Sequence, residues 1–487
     1  MPDSLADYSM KSPPAPGEGQ QEAQTWRVNE DDLLTIKEAA ELVGKTPSNI
    51  TYLIQYGRLK RYNRHGELAK KSLNGEMRVS RTELLDYFQR WNERIQKRMS
   101  QLSITDVSLG FLDVAERDRT KHVHRLHPYL GKFIPQLVEY FLAKYFEPGQ
   151  TVIDPFCGSG TTLVQAAEMG INAIGIDISE FNTMIARAKL ARYDLPLLER
   201  EVLDCMQKTV GFSRRTFDEE QAALFTVETV EIDATDYLKT WFADQSLAEM
   251  FYYKSLIGNY HYQDLLKVIL SRTIRSCRLT THFELAHPTK PVRGPYYCHK
   301  HNKICKPVTT IIPRLKYYSV DTVARIENFA KLRKPVDSFV IEGDSRLIDI
   351  NESLPKGWLT KHEVAGIFTS PPYVGQIDYH EQHRYAYDLF GIKRRDESEV
   401  GPKSKGKGVK AQRAYVEGIS GVLSNMGKFI PDSSKWFIVA NDKLELYPEI
   451  LEKSGLELVN TFHRPVEDRT ERDKRPYSES IFYVRPI

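Results

Sequence analysis

The chain has 487 residues, 41% of them apolar and 27% charged, an ordinary globular mix with material for about three domains. Lys plus Arg total 68 against 65 Asp plus Glu, a net charge of +3, so there is no global basic field and any nucleic-acid surface must come from local clustering. No run approaches the roughly 18 apolar residues of a membrane span, the N-terminus lacks the apolar core of a secretion signal, and five cysteines do not make a disulfide scaffold; a cytoplasmic protein is expected.

Residues 1–25, rich in Pro, Gly, Gln, Glu and Ser, read as a disordered tail. Over 26–99 the pattern changes. Leu34, Ile36, Ala39, Ala40 and Leu42–Val43 recur at helical spacing, with Thr35 and Glu38 placed as a capping box and Gly44 as the stop. Thr46-Pro47-Ser48 opens a second helix, Asn49 to Tyr56, closed by Gly57. Arg58 to Tyr62 is a basic, strand-like segment, Asn74-Gly75 a hairpin turn into Met77-Arg78-Val79, and Ser80 the cap of a last helix, Arg81 to Trp91. This order of helix, turn, helix, two-stranded wing and helix resembles the winged helix-turn-helix of excisionase-like DNA-binding domains. The resemblance implies that Ser48, Asn49, Thr51, Tyr52 and Gln55 face the major groove and that Arg58, Lys60, Arg61, Arg64, Lys70 and Lys71 meet phosphates. A small helical protein-interaction module with a solvated basic rim is the plainer alternative.

Residues 100–135 connect to the main body; from about 136 to 190 and again over 336–487, β-rich apolar runs alternate with helical stretches, which argues an α/β domain with a parallel sheet over 100–190 and 336–487. Residues 191–335 read as mostly helical and interrupt it as an inserted domain. Thr151 to Asp154 is a buried strand, Pro155 to Gly160 a tight loop, Thr161-Thr162 the start of a helix, and Asn172 to Ile176 a second strand ending at Asp177. Glycines let backbone approach a ligand closely, a helix N-terminus offers free N–H groups, and an acid one βα unit later can hold ribose hydroxyls. The loop lacks the Lys of a phosphate-binding loop and departs from G-x-G-x-x-G.

The string DPFCGSGTT resembles the S-adenosylmethionine loop of DNA amino-methyltransferases, which methylate cytosine N4 or adenine N6. His127 to Pro135 is similar to the segment that precedes this loop in such enzymes. The likeness implies a Rossmann-like class I methyltransferase sheet whose cofactor residues are Lys132, Phe133, Asp154, Pro155, Phe156, Gly158, Gly160, Thr161, Asp177, Asp344 and Ser345. Lys132 and Phe133 would border the cofactor, Asp177 would bind its ribose and Asp344, after a strand at Ser338–Ile341, its adenine amino group. Cys157 reads as packing.

Val364 to Phe368 is a buried strand that runs into Thr369-Ser370-Pro371-Pro372-Tyr373, and the double proline fixes a rigid loop at the carboxyl edge of the sheet. An exocyclic amine conjugated to its ring is a poor nucleophile; two acceptors, the Ser370 hydroxyl and the Pro371 carbonyl, would draw its nitrogen towards a tetrahedral form while Tyr373 stacks on the extruded base. SPPY is a signature of the same family, and Ser in its first position leans towards cytosine N4, since DPPY and NPPY are more typical of adenine enzymes. The expected protein is a DNA methyltransferase of a restriction–modification or defence system, with double-stranded DNA as partner, a companion restriction endonuclease implied and a helical insert that selects the target. The alternatives are adenine N6, glutamine methylation in protein, and a DNA-binding regulator with an inert fold.

Asp378, His380 and Glu381 are weaker candidates for the base pocket, and Lys403, Lys405, Lys407, Lys410 and Arg413 read as a flexible, Gly-rich phosphate clamp. Cys277, His282, His287, Cys298, His299, His301 and Cys305 are zinc-type ligands, but their spacing matches no standard finger and no C-x-x-C pair exists, so no metal site is expected.

Overall fold

The computed structural model describes residues 27–45, 47–55, 58–69, 77–100, 106–111, 114, 116–129, 131, 133–217, 229–285, 288–298, 301–466 and 477–487. The tail, Thr46, Tyr56, Gly57, Lys70, Lys71, Asn74-Gly75, Lys132, His287 and His299 lie outside them. The chain divides into two compact units, Met1–Lys97 and Arg98–Ile487.

In the first unit the strand β1 (Leu33–Thr35) leads into the helix Ile36–Leu42. Thr35 and Glu38 close a capping box, with Glu38 N–H donating to Thr35 Oγ1 (3.1 Å) and Thr35 N–H to Glu38 Oε2 (2.8 Å). Gly44 follows at φ +62°. A second helix spans Pro47–Gln55, and Leu34, Ala39, Ala40, Ile50, Ile54, Leu59, Val79 and Leu84 form the small core. The basic segment departs from its expected strand. β2 (Arg78–Ser80) pairs antiparallel with β1, and Tyr62 joins Arg78 and Leu68 only through isolated bridges. Tyr62 is buried and donates its hydroxyl hydrogen to Glu83 (2.7 Å), so its anchoring to the last helix replaces a longer ladder. That helix, Arg81–Ser100, runs beyond the expected Trp91; Ser80 Oγ accepts from Glu83 N–H at its start.

The second unit is built on a seven-stranded sheet in the order β10-β11-β9-β8-β3-β4-β7. The strands are β3 (Thr151–Asp154), β4 (Asn172–Asp177), β7 (Ser338–Glu342), β8 (Val364–Thr369), β9 (Lys435–Ala440), β10 (Leu456–Val466) and β11 (Tyr477–Pro486). From β9 to β7 all pairings are parallel, and β11 lies antiparallel between β9 and β10. This is an open α/β fold with a mostly parallel sheet. Successive side chains go to opposite faces: Val152, Phe368 and Phe437 join one core, Ile153, Ile367 and Trp436 the other. From β3 the chain steps outward to β4 and β7, then returns to the other side of β3 as β8. The resulting switch point, between β3 and β8, is where open α/β sheets bind ligands.

Residues 191–335 carry the helices Leu195–Phe217, Asp244–Leu256, Gln263–Arg275 and Ile312–Ala330. Their Leu198, Val202, Met250, Leu266, Ile269 and Leu315 pack into the same core as Phe141 and Phe368, within the one compact unit. They also carry a short antiparallel hairpin, β5 (Tyr296–Cys298) with β6 (Lys303–Cys305). The expectation of no metal ligation rested on spacing along the chain. The fold adds what spacing could not show: the hairpin brings Cys298, His301 and Cys305 against His282, while Cys277 lies apart in the core.

Candidate active site

The cleft forms where β3 and β8 end. Asp154, the last residue of β3, is buried, and its carboxylate accepts from Thr162 Oγ1 (2.7 Å), Thr369 Oγ1 (2.6 Å) and the Phe156 N–H (3.2 Å). One side chain thus ties the glycine turn, the helix Thr161–Met169 and the residue before Ser370. Burial lifts the Asp154 carboxyl to about 6 even though the three donors pull it down. Gly160 sits at φ +77° as the N-cap of that helix, and Gly158 at φ +48°. A Cβ on Gly158 would stand 3.1–3.3 Å from the Tyr129 ring.

Asp177 ends β4. Its carboxylate accepts from the N–H groups of Gly158 (2.9 Å) and Ser179 (2.9 Å) and from Asn182 Nδ2 (3.0 Å). Burial pushes its carboxyl upward against those bonds. Asp344 follows β7 and receives Arg346 Nε (2.9 Å) and the Arg346 N–H (3.0 Å). Burial alone would raise it, but the Arg346 contacts win and hold it below the usual carboxylate range. Ser345 Oγ donates to the Pro155 carbonyl (2.7 Å), joining the third strand end to the glycine turn. Burial pushes the Cys157 thiol far up, which leaves it an inert packing group.

On the other side, Tyr373 donates its hydroxyl hydrogen to Glu479 Oε1 of β11 (2.9 Å), and Glu479 in turn accepts from buried Arg464 Nε of β10 (2.8 Å). Burial and then the Glu479 charge raise the Tyr373 hydroxyl well above its ordinary value. His380 turns its Nδ1 and its backbone N–H to Glu399, both residues being buried, while His380 Nε2 is buried without a hydrogen-bond partner.

These groups enclose a cleft of about 890 Å³, counting its open mouth. Of the expected cofactor residues, Phe133, Asp154, Pro155, Phe156, Gly158, Thr161, Asp177, Asp344 and Ser345 line it, and Gly160 stands behind as the helix cap. Ser370 and Pro372 line it from the catalytic loop, with Pro371 buried between them; Tyr373 instead packs against the neighbouring core beside β11. His380 lines it, whereas Glu381 is exposed and pairs with Arg394, and Asp378 is taken up by Ser404. Sequence reasoning did not single out Tyr129, Asn182, Ser398, Glu399 or Val400, which also line the cleft. Tyr129 lay inside a quoted string, but the others sit on a helix and a loop without local signature.

A DNA methylase family model matches residues 50–187, and an RMKL-like methyltransferase-domain model matches residues 142–239. The chain is 44% identical to the type II methyltransferase M.MjaII of Methanocaldococcus jannaschii, over 93% of this chain and 97% of that one. The chain belongs to the type II DNA methyltransferases. It is also 26% identical to the type II methyltransferase M.MvaI of Kocuria varians over 37% of its length and 39% of that protein's.

S-adenosylmethionine is the methyl donor of such a methyltransferase, and the donor set of the cleft fits it. Asp177 and Asp344 bring carboxylates, a group able to accept from hydroxyl and amino groups, Phe133, Phe156 and Ile178 offer apolar walls, and the glycine turn leaves room for close approach.

The residues expected to meet DNA fall in both units of this methyltransferase. In the first, Ser48, Asn49 and Tyr52 lie on the helix Pro47–Gln55; Arg58 and Lys60 are exposed, Lys60 pairing with Glu83 (3.1 Å), and Arg61 is half-buried. In the second, Lys403, Lys405 and Lys407 are exposed on a loop expected to be flexible. That loop is pinned along the catalytic loop: the Gly375 N–H donates to the Gly401 carbonyl (2.9 Å), and Ser404 N–H and Oγ donate to Asp378 (2.9 Å each). Among the described residues, no helix is long and apolar enough to cross a membrane.

Proposed function

We propose that this type II methyltransferase transfers a methyl group to N4 of a cytosine swung out of double-stranded DNA. One observation carries the reading: the glycine turn and the Ser370–Pro372 turn line a single cleft at the ends of adjacent parallel strands. When bound there, S-adenosylmethionine supplies an electrophilic methyl group. Phe133, Pro155, Phe156, Gly158, Thr161 and Ser345 shape its site, Asp177 accepts from its ribose and Asp344 from its adenine, with Lys132 at the border. Asp154 and Gly160 act as positioning residues, because the Asp154 carboxylate is committed to Thr162 and Thr369.

Ser370 Oγ and the Pro371 carbonyl accept the two N–H hydrogens of the target amine, which concentrates its lone pair towards the donor. Pro372 stiffens the loop. Tyr373, anchored by Glu479, offers its ring edge or face to the base as the DNA enters. Serine rather than aspartate at position 370 favours cytosine N4 over adenine N6. The first unit acts as a winged helix, with Ser48, Asn49 and Tyr52 at bases and Arg58, Lys60 and Arg61 at phosphates. Lys403, Lys405 and Lys407 grip the backbone beside the cleft, and the helices of 191–335 choose the sequence. A companion endonuclease cutting the same sequence completes a restriction–modification pair.

The test is to methylate DNA with the purified protein, digest it to nucleosides and weigh the products. N4-methylcytosine is expected. N6-methyladenine in its place overturns the base assignment, and no methylated nucleoside overturns the reading as a whole.

A further inference from the structure

The hairpin β5–β6 has strands of three residues each, and an isolated two-stranded hairpin is marginal in water. It does not hold itself by apolar burial, since its outward Tyr297 and Ile304 are 51% and 64% exposed. Its inward residues are Cys298 and Cys305, only 3% and 8% exposed, and they face His282 and His301. The four ligand atoms of these residues all lie within 4.8 Å of one another.

The finer distances carry the argument. Cys298 Sγ is 3.5 Å from His282 Nδ1 and 3.7 Å from His301 Nδ1, and Cys305 Sγ is 3.5 Å from His301 Nδ1. A tetrahedral zinc ion with Zn–S near 2.3 Å and Zn–N near 2.05 Å sets its sulfur and nitrogen ligands about 3.6 Å apart. Hydrogen bonding alone accounts poorly for the same cluster. A neutral imidazole Nδ1 has one hydrogen or one lone pair, yet His301 Nδ1 meets two sulfurs and His282 Nδ1 meets the Cys298 sulfur and the Tyr296 hydroxyl. A shared cation satisfies all four at once.

We propose that His282, Cys298, His301 and Cys305 bind one structural zinc ion through both Sγ and both Nδ1 atoms. Two thiolates balance the charge of the ion, and the Cys₂His₂ set is the tetrahedral one that zinc prefers. Four protein ligands close the coordination sphere, so the ion clips the hairpin to the segment after the helix Gln263–Arg275 and takes no part in methyl transfer. The Tyr296 hydroxyl, 2.9 Å from His282 Nδ1, accepts from the His282 N–H (3.2 Å) and keeps that bond when the ring nitrogen turns to the metal.

The full-length protein, purified without a polyhistidine tag, should carry about one zinc per chain by elemental mass spectrometry. Cobalt(II) exchanged into it should show the visible bands of a tetrahedral thiolate site. Cys298→Ser and Cys305→Ser should each lose most of the metal. Cys277→Ser, a buried thiol outside the cluster, should keep it. Should the two ligand variants fail to fold, the metal content and cobalt spectrum of the unaltered protein decide. A folded protein without stoichiometric metal and without the cobalt spectrum overturns the proposal, as does a Cys298–Cys305 disulfide in peptide mass mapping or loss of zinc from Cys277→Ser.

Discussion

The two halves of the cleft handle buried charge in opposite ways. On the side of β3 and β4, Asp154 and Asp177 are held by threonine hydroxyls, an asparagine amide and backbone N–H groups, and burial pushes both carboxyls upward. On the side of β8, β10 and β11, the buried acids have charged or ring partners: Glu479 takes Arg464 and Tyr373, and Glu399 takes His380. Neutral donors hold Asp154 and Asp177 without offsetting their charge, which suits a cationic sulfonium donor and its hydroxyl groups. In the second half Arg464 offsets the charge of Glu479, which suits a neutral base. One rim of one sheet thus presents two electrostatic environments.

Removing Glu479 is the harshest way to break this contrast. Glu479→Ala leaves buried Arg464 without its carboxylate, and a loss of about 3–5 kcal/mol is expected in denaturant unfolding. A loss below about 1 kcal/mol would mean that the target half does not depend on its ion pair.

Ser370→Ala separates the halves by function. Methyl transfer in single turnover should fall at least about 100-fold, the scale for deleting one oriented hydrogen-bonding group at a reacting centre. Calorimetry should find S-adenosylmethionine affinity nearly unchanged; an equal loss in both would merge the two halves into one site.

The Asp154 carboxyl supplies a pH signature. Its folded value, about 6, lies above its ordinary one, so the folded chain holds the proton more tightly than the unfolded chain. That contribution is fully present below about pH 4 and is lost as pH rises through about 6, a change of order 2–3 kcal/mol. Unfolding midpoints of Asp154→Asn should lack this fall between pH 4 and 6, even if the variant is weaker throughout. An unchanged slope would show that Asp154 is not the group responsible.

The smallest effect is expected at the glycine turn. Gly158 sits at φ +48°, where a side chain costs about 1–2 kcal/mol and would press on Tyr129. Gly158→Ala should weaken S-adenosylmethionine binding by up to roughly tenfold with the fold retained, as read by calorimetry and circular dichroism.

Legibility followed chain distance. The strand, turn and helix around Asp154 to Thr161 are contiguous, as are Val364 to Pro372, and strict local geometry wrote itself into short strings. The same holds for the Thr35–Glu38 cap, three residues apart. Glu479 stands 106 positions from the Tyr373 it anchors, and Glu399 is 19 from His380, so no periodicity announced either. The expected strand at Arg58 to Tyr62 shortens to the bridge between Tyr62 and Arg78 for a related reason: β-pairing depends on which strand is nearby, and the longer ladder of β2 runs with β1.

From its residues alone, then, the chain determined the alternation of strands and helices, the two turns that need glycine or proline, and the acids at strand ends. These are properties of a backbone and its immediate neighbours. Which loops share a cleft, which cations neutralise buried acids, and which histidines meet which cysteines were decided only by the folded chain. Such meetings depend on sheet order and core packing, where free energies are summed over the whole molecule and leave no mark at any one position.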